Sequence, residues 1–253
     1  MTDSDTLTTW LDSRMALRDQ AYHWITARSD TLGPLERSLT TEKARKKRTL
    51  RSSDPAYLSV IRLSANPGAY RAALSVRDRS SRRVGVFDQP VTVPDYSRDS
   101  LSVSDIRLAL SVRPTDRSGL FTRHGLEIIP NPSHAYAPSQ PVYVYYEVYH
   151  LKPNANGHSA YRTQIEIAEK GDEGKGLLRK TLAGLGRLFA SPRSEQSIIY
   201  TFEDTGSGST AIKYTAIDAS DLPDGAYTLT LTVIDSATDA QVSKTVDFIR
   251  LKD

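Results

Sequence analysis

The chain predicts an all-β protein built as two tandem antiparallel β-sandwiches. Three observations carry this. Short runs of alternating apolar and polar residues recur along most of the chain, with turn signals roughly every 8–12 residues. A parallel sheet would need a helix between successive strands, and only one helix candidate is present. A strand–turn–strand unit is also written twice, first as Gly68-Ala-Tyr70-Arg-Ala-Ala-Leu74-Ser-Val76-Arg-Asp78 and again as Gly225-Ala-Tyr227-Thr-Leu-Thr-Leu231-Thr-Val233-Ile-Asp235. Each copy runs into a polar turn, at 79–82 and 236–239, and then into a second β-rich run.

Taken in order, residues 1–14 read as a disordered polar lead, 15–96 as the first sandwich module and 97–253 as the second, joined near Pro94–Arg98. The first strand is expected over 21–27, where Tyr22, Trp24 and Thr26 share a face at period two. A strand over Tyr57–Leu63 precedes the first repeat copy, in which Tyr70, Ala72, Leu74 and Val76 fall on the core side. Val84–Phe87 and Val91–Val93 continue the sheet, and Pro90 confines that stretch to an edge. Leu101–Val112 opens the second module, and Val142–Tyr149 is its most strongly patterned strand. Tyr161–Ile167 is expected to pair with that strand across the Asn154–Gly157 turn. The segment 171–196 breaks the β rhythm. Its Leu178, Leu182, Leu185 and Phe189 sit at helical spacing, which predicts a short helical insertion weakened by internal glycines. Strands at 197–202 and 211–214, the second repeat copy and a last strand over 242–251 complete the module. A Gly-Ala-Tyr step after a Pro-containing turn is the corner seen in immunoglobulin-like and fibronectin-like sandwiches. Tyr70 and Tyr227 are therefore expected to be equivalent structural corners.

Composition excludes several classes. Without cysteine there is no disulfide and no thiolate metal site. No apolar run approaches the length of a membrane-spanning helix. The start, Met1 to Trp10, lacks the basic and apolar regions of a secretory signal, so a cytoplasmic location is expected if Met1 is the true start. The charge is uneven, +5 over residues 1–95 and −2 over the rest. Most of the excess lies in one cluster containing Lys43, Arg45, Lys46, Lys47 and Arg48. No aromatic residue is interleaved there, so nucleic acid is not expected; the cluster reads as a solvated inter-strand loop, with an anionic lipid or an acidic protein partner as the alternative.

Reactive constellations are few. The five histidines show no zinc-ligand spacing, and no Gly-x-Ser-x-Gly elbow, phosphate loop or cofactor signature occurs, so no cofactor, metal or catalysis is expected. Asp204-Thr-Gly-Ser matches the aspartic-protease loop, but that chemistry needs a second carboxylate and hence a dimer. Tyr143, Tyr145 and Tyr149 form one row of a strand, which reads either as a sheet face covered by the inserted helix or as a candidate binding surface for a protein or for carbohydrate. The basic, amphipathic stretch 175–193 is a candidate for peripheral membrane contact.

The order Leu101-Ser-Val-Ser-Asp105-Ile-Arg-Leu108-Ala109, Ile129-Pro-Asn-Pro132-Ser133, Val144-Tyr-Tyr-Glu147-Val-Tyr149 and Leu222-Pro-Asp-Gly225-Ala-Tyr227 through Asp235 resembles the C-terminal β region of bacterial GWxTD-domain proteins, over residues 57–253. The Gly-Trp-x-Thr-Asp motif itself is absent, since Trp10 and Trp24 have other neighbours. The resemblance implies a periplasmic or cell-envelope location and supplies no catalytic residue. The functional expectation is a non-enzymatic protein–protein interaction or scaffold module. A carbohydrate-binding module is the alternative, and a protease-like dimer using Asp204 is the third reading.

Overall fold

A computed structural model describes residues 6–38, 57–170 and 197–252. Among these residues the protein is all-β, with no helix. The helical insertion expected at 171–196 and the basic cluster at 43–48 lie outside the described residues. The chain divides into two compact units, residues 1–97 and 98–253.

The first unit contains β1 (Thr6–Arg18), β2 (Trp24–Ser38), β3 (Gly68–Asp78) and β4 (Val84–Val93), which form one antiparallel sheet in the order β2-β1-β3-β4. The lead expected to be disordered thus supplies a central strand, paired with β2 on one side and β3 on the other. Its polar character misleads because one face carries Asp12 and Arg14, which are held by neighbours: Asp12 accepts hydrogen bonds from Arg79 and Thr31, and Arg14 lies over the Trp24 ring. Cross-strand register places Tyr70, Ala72, Leu74 and Val76 on the same face as Leu11, Met15 and Leu17. Leu17 and Ala72 are buried there, and the rest are half-buried. The strand expected over Tyr57–Leu63 is irregular instead. Both neighbours of β1 and of β3 are already taken, so the run finds no ladder partner in the middle of the sheet. It is tied down by side chains, Ser59 Oγ donating to Asp30 Oδ2 at 3.3 Å. The register slips at Trp10, whose indole lies over Gly33. A Cβ on Gly33 would sit 2.6 Å from that ring, at a φ of +149°.

The second unit is a sandwich of two sheets. One holds β6 (Arg107–Pro114), β7 (Thr122–Arg123), β8 (Leu126–Pro130), β10 (Val142–Tyr149) and β13 (Ala211–Ile217), with the short β5 (Ser102–Val103) also on β10. The other runs β12 (Ser197–Ser207), β11 (His158–Glu169), β14 (Gly225–Asp235), β15 (Gln241–Arg250), β9 (Ala135–Tyr136). Alternation is strict where the sheets face each other. Val144, Tyr146 and Val148 of β10 meet Tyr161, Ile165, Leu229, Leu231 and Val233 in one buried core. Tyr227 stacks on Phe248, with ring centroids 5.5 Å apart. The expected pairing of Tyr161–Ile167 with Val142–Tyr149 does not occur: β10 and β11 lie in opposite sheets. The Asn154–Gly157 turn does form, Gly157 N donating to Asn154 O at 2.9 Å, but the chain crosses between layers there. Alternation tells which side of a strand is apolar, and it is equally satisfied by a neighbour in the same sheet or in the facing one.

The hairpins β3–β4 and β14–β15 agree atom for atom at their hinges. Tyr70 Oη donates to Asn66 O at 2.8 Å, and Tyr227 Oη donates to Pro223 O at 2.9 Å, each reaching four residues back. The Asp78 carboxylate accepts from Ser80 N, and Asp235 from Ala237 N, both at 2.8 Å. Asp78 N donates to Arg83 O and Asp235 N to Ala240 O, both at 2.9 Å. Arg82 and Asp239 occupy the left-handed region at φ 58° and 57°. The correspondence extends to the neighbouring strand, where Arg79 N bonds Trp10 O and Ser236 N bonds Ala160 O, both at 3.0 Å. The orders β2-β1-β3-β4 and β12-β11-β14-β15 match strand for strand.

Candidate interaction surface

The outer edge of the first sheet is the most exposed apolar feature of that unit. Among the described residues β4 pairs only with β3. Val84, Val86 and Phe87 are 57%, 74% and 55% exposed. The corresponding positions of β15, read from the shared hairpin register, are Gln241, Ser243 and Lys244. Polar and charged residues, Lys above all, are how sheet edges are kept from pairing, and β15 is further capped by β9 through Ile249↔Ala135 and Arg250↔Tyr136. Among the described residues no further strand caps β4, and its stretch Val84-Gly-Val-Phe87 carries no polar or charged side chain.

The direction of its backbone groups follows from the turn. Asp78 and Arg83 form a hydrogen-bonded pair. In an antiparallel ladder such pairs alternate, so Gly85, Phe87 and Gln89 face β3 while Val84, Val86 and Asp88 turn their N–H and C=O groups outward. Pro90 falls in the outward series, where its missing N–H costs no ladder bond. Asp88 is ion-paired with Arg71 across the sheet.

The tyrosine row expected as a binding surface is not an open surface. Tyr143, Tyr145 and Tyr149 do point away from the sandwich core, but Tyr145 is only 2% exposed and packs with Ala109, Val112 and Ile128 in a second small core. Its hydroxyl donates to Glu147 Oε1 at 2.7 Å, and that of Tyr149 donates to Glu147 Oε2 at 2.7 Å. Arg123 Nε, brought in by the β7–β8 hairpin, donates to Glu147 Oε1 at 2.6 Å, and His124 Nε2 lies 3.5 Å from Oε2. Glu147 is 4% exposed. Burial pushes its carboxyl up, but the bonds from Arg123, Tyr149 and Tyr145 outweigh it and hold the group at about 2. The Tyr145 hydroxyl moves the other way, raised by burial and by the Glu147 charge. This fully occupied carboxylate pins the hairpin over the sheet. Nothing in the sequence marked it beyond one acidic residue inside a tyrosine strand.

Asp204 lies within β12 and not in a loop. Its carboxylate is ion-paired with Lys213 of β13 and accepts a bond from Thr163 Oγ1 at 3.4 Å. The pair ties the edge of one sheet to the edge of the other. The protease reading requires a carboxylate free to share a proton with a second one, and here the partner is an ammonium. Among the described residues no group of three or more His, Asp or Glu side chains converges as a metal site. No described helix is long and apolar enough to cross a membrane. The stretch 175–193, the candidate for membrane contact, lies outside the described residues. The chain matches no protein-family model and no curated protein sequence.

Proposed function

We propose that the chain is a non-enzymatic protein–protein interaction or scaffold module of a bacterial envelope system, and that β4 is its binding edge. One observation carries the reading: Val84, Val86 and Phe87 stand exposed on a strand with outward backbone groups, at positions where the matching strand of the second unit has Gln241, Ser243 and Lys244. An open apolar edge invites an added strand, with main-chain bonds supplying affinity and alternate side chains supplying selectivity. The resemblance to GWxTD-domain proteins supports the envelope assignment. The carbohydrate reading loses its support with the burial of Tyr145, and the protease reading loses its own with the Asp204–Lys213 pair. The test is site-specific photo-crosslinking in producing cells, with the crosslinker at position 86 or, as a comparison on the guarded edge, at position 243. A discrete crosslinked protein species from position 86 and none from 243 is expected. Equal, diffuse labelling from both positions overturns the assignment.

A further inference from the structure

We propose that the edge strand β4 takes a second copy of this chain, the two β4 strands pairing antiparallel about a two-fold axis through Val86. This rests on the reading of β4 as an interaction edge and names its occupant. The pairable edge is bounded on both sides. Arg82 sits in the left-handed turn conformation at φ 58°, and Pro90 has no N–H to give. Val86 is the midpoint of that interval, so a two-fold placed there sets every outward residue opposite another outward residue: Val86 against Val86, Val84 against Asp88, and Asp88 against Val84. That arrangement gives about six main-chain hydrogen bonds, two per pair. Shifting the axis by one residue, to 85 or to 87, brings the turn at Arg82 or the Pro90 nitrogen into the ladder and loses bonds.

Side chains favour the same register. It sets Phe87, 55% exposed, opposite the partner's Gly85 in a non-hydrogen-bonded pair, where side chains approach most closely. A Cβ built on Gly85 meets nothing within 4 Å, so the space beside that residue is open for a ring. An aromatic laid across an edge glycine is a recognised way of pinning register. The antiparallel sense follows from the two-fold axis, whereas parallel pairing in register would set Arg83 directly against Arg83. The contact is isologous and closes on itself, giving a dimer and not a fibre. It joins two four-stranded sheets into one of eight strands. A strand-only contact is small, so association in the micromolar range is expected.

The experiment uses the full chain, which contains no native cysteine. Sedimentation velocity over a micromolar concentration series should show reversible dimerisation of the wild type, abolished by V86K. Under mild oxidation V86C should form a covalent dimer at least about ten-fold faster than V84C, because paired positions at the axis lie within disulfide range while the two 84 positions are about 13 Å apart. A wild type that stays monomeric throughout, or a V84C that crosslinks as fast as V86C, overturns the proposal. Tryptophan emission of each variant, reporting on Trp10 and Trp24 of the first unit, verifies that the sheet is folded. A monomeric protein that still crosslinks to a different protein in cells sinks self-pairing alone. A monomer with no crosslinked species in cells sinks the interaction reading as well.

Discussion

The four-stranded sheet of the first unit and the sheet β12-β11-β14-β15 of the second share strand order, hairpin geometry and corner tyrosine, yet differ in what lies over them. In the second unit a facing sheet removes Leu229, Leu231 and Val233 from water completely. In the first, the matching Ala72, Leu74 and Val76 lie beneath no second sheet among the described residues, and only Ala72 is buried. The difference separates two contributions usually seen together. Local chemistry (a tyrosine reaching back four residues, an aspartate capping the turn) fixes the hairpin whether or not a core is present. The facing sheet determines how much each residue is worth.

The sharpest way to break the comparison is to empty the two corners. Tyr227 is 2% exposed and stacked on Phe248, so Tyr227→Ala should cost about 3–5 kcal/mol, as removal of buried aromatics does. Tyr70 is half-buried, and Tyr70→Ala should cost about half as much. The units can be followed apart: both tryptophans, Trp10 and Trp24, lie in the first unit, and nine of the thirteen tyrosines lie in the second. Denaturant unfolding read by tryptophan emission for Tyr70→Ala and by near-ultraviolet tyrosine dichroism for Tyr227→Ala checks the order. Equal losses would mean that the first sheet is as well covered as the second.

The next effect sharpens the comparison through pH. Glu147, in the second unit only, has its carboxyl held at about 2 against an ordinary 4.5. Its folded-state value is depressed, so its contribution is complete above the ordinary value and is lost as pH falls toward 2. Between pH 7 and pH 3 the second unit should lose on the order of 2 kcal/mol from this group. Glu147→Gln should flatten that slope, while the first unit's tryptophan-detected transition stays unchanged by the substitution. A wild-type slope that survives Glu147→Gln would assign the acid sensitivity to other carboxylates.

How much of this was legible in the sequence depends on the range over which each feature is determined. The hairpins could be read because Gly, Tyr and Asp act within a few residues of themselves, and Pro90 correctly marked an edge. Strand β1 was hidden because Ser13 interrupts its apolar row Leu11, Met15 and Leu17, while Asp12 and Arg14 on the other face find their partners Arg79 and Trp24 in other segments. The layer crossing between β10 and β11 was hidden because period-two patterning carries no information about which sheet a strand joins. The Glu147 cluster was missed because Arg123 reaches it from a hairpin 24 residues upstream. The cover over Tyr145 was hidden for the same reason, since Ile128 of that hairpin supplies part of it. The openness of β4 was also hidden from sequence, because Val-Gly-Val-Phe reads equally well as a buried strand. Only its alignment with Gln241, Ser243 and Lys244 shows that an edge position has been left apolar.

The smallest expected effect tests the part of the comparison that should be equal. Tyr70→Phe and Tyr227→Phe each keep the ring and delete one hydroxyl, and each hydroxyl donates to a backbone carbonyl four residues upstream at nearly the same distance, 2.8 and 2.9 Å. A neutral hydrogen bond of this kind contributes about 1 kcal/mol net. The deletion leaves one carbonyl, of Asn66 or Pro223, to find water. Asn66 is exposed and can do so readily. Pro223 is exposed too, so burial of the ring beneath Tyr227 does not add to the penalty. Both substitutions should therefore lower stability by about 1 kcal/mol, within a few tenths of each other, even though the alanine variants differ about two-fold. Matched phenylalanine losses with unmatched alanine losses would establish that the corner bond is a local device and the burial a separate, later addition. A Tyr227→Phe loss several-fold larger than that of Tyr70→Phe would show instead that the facing sheet strengthens the corner itself.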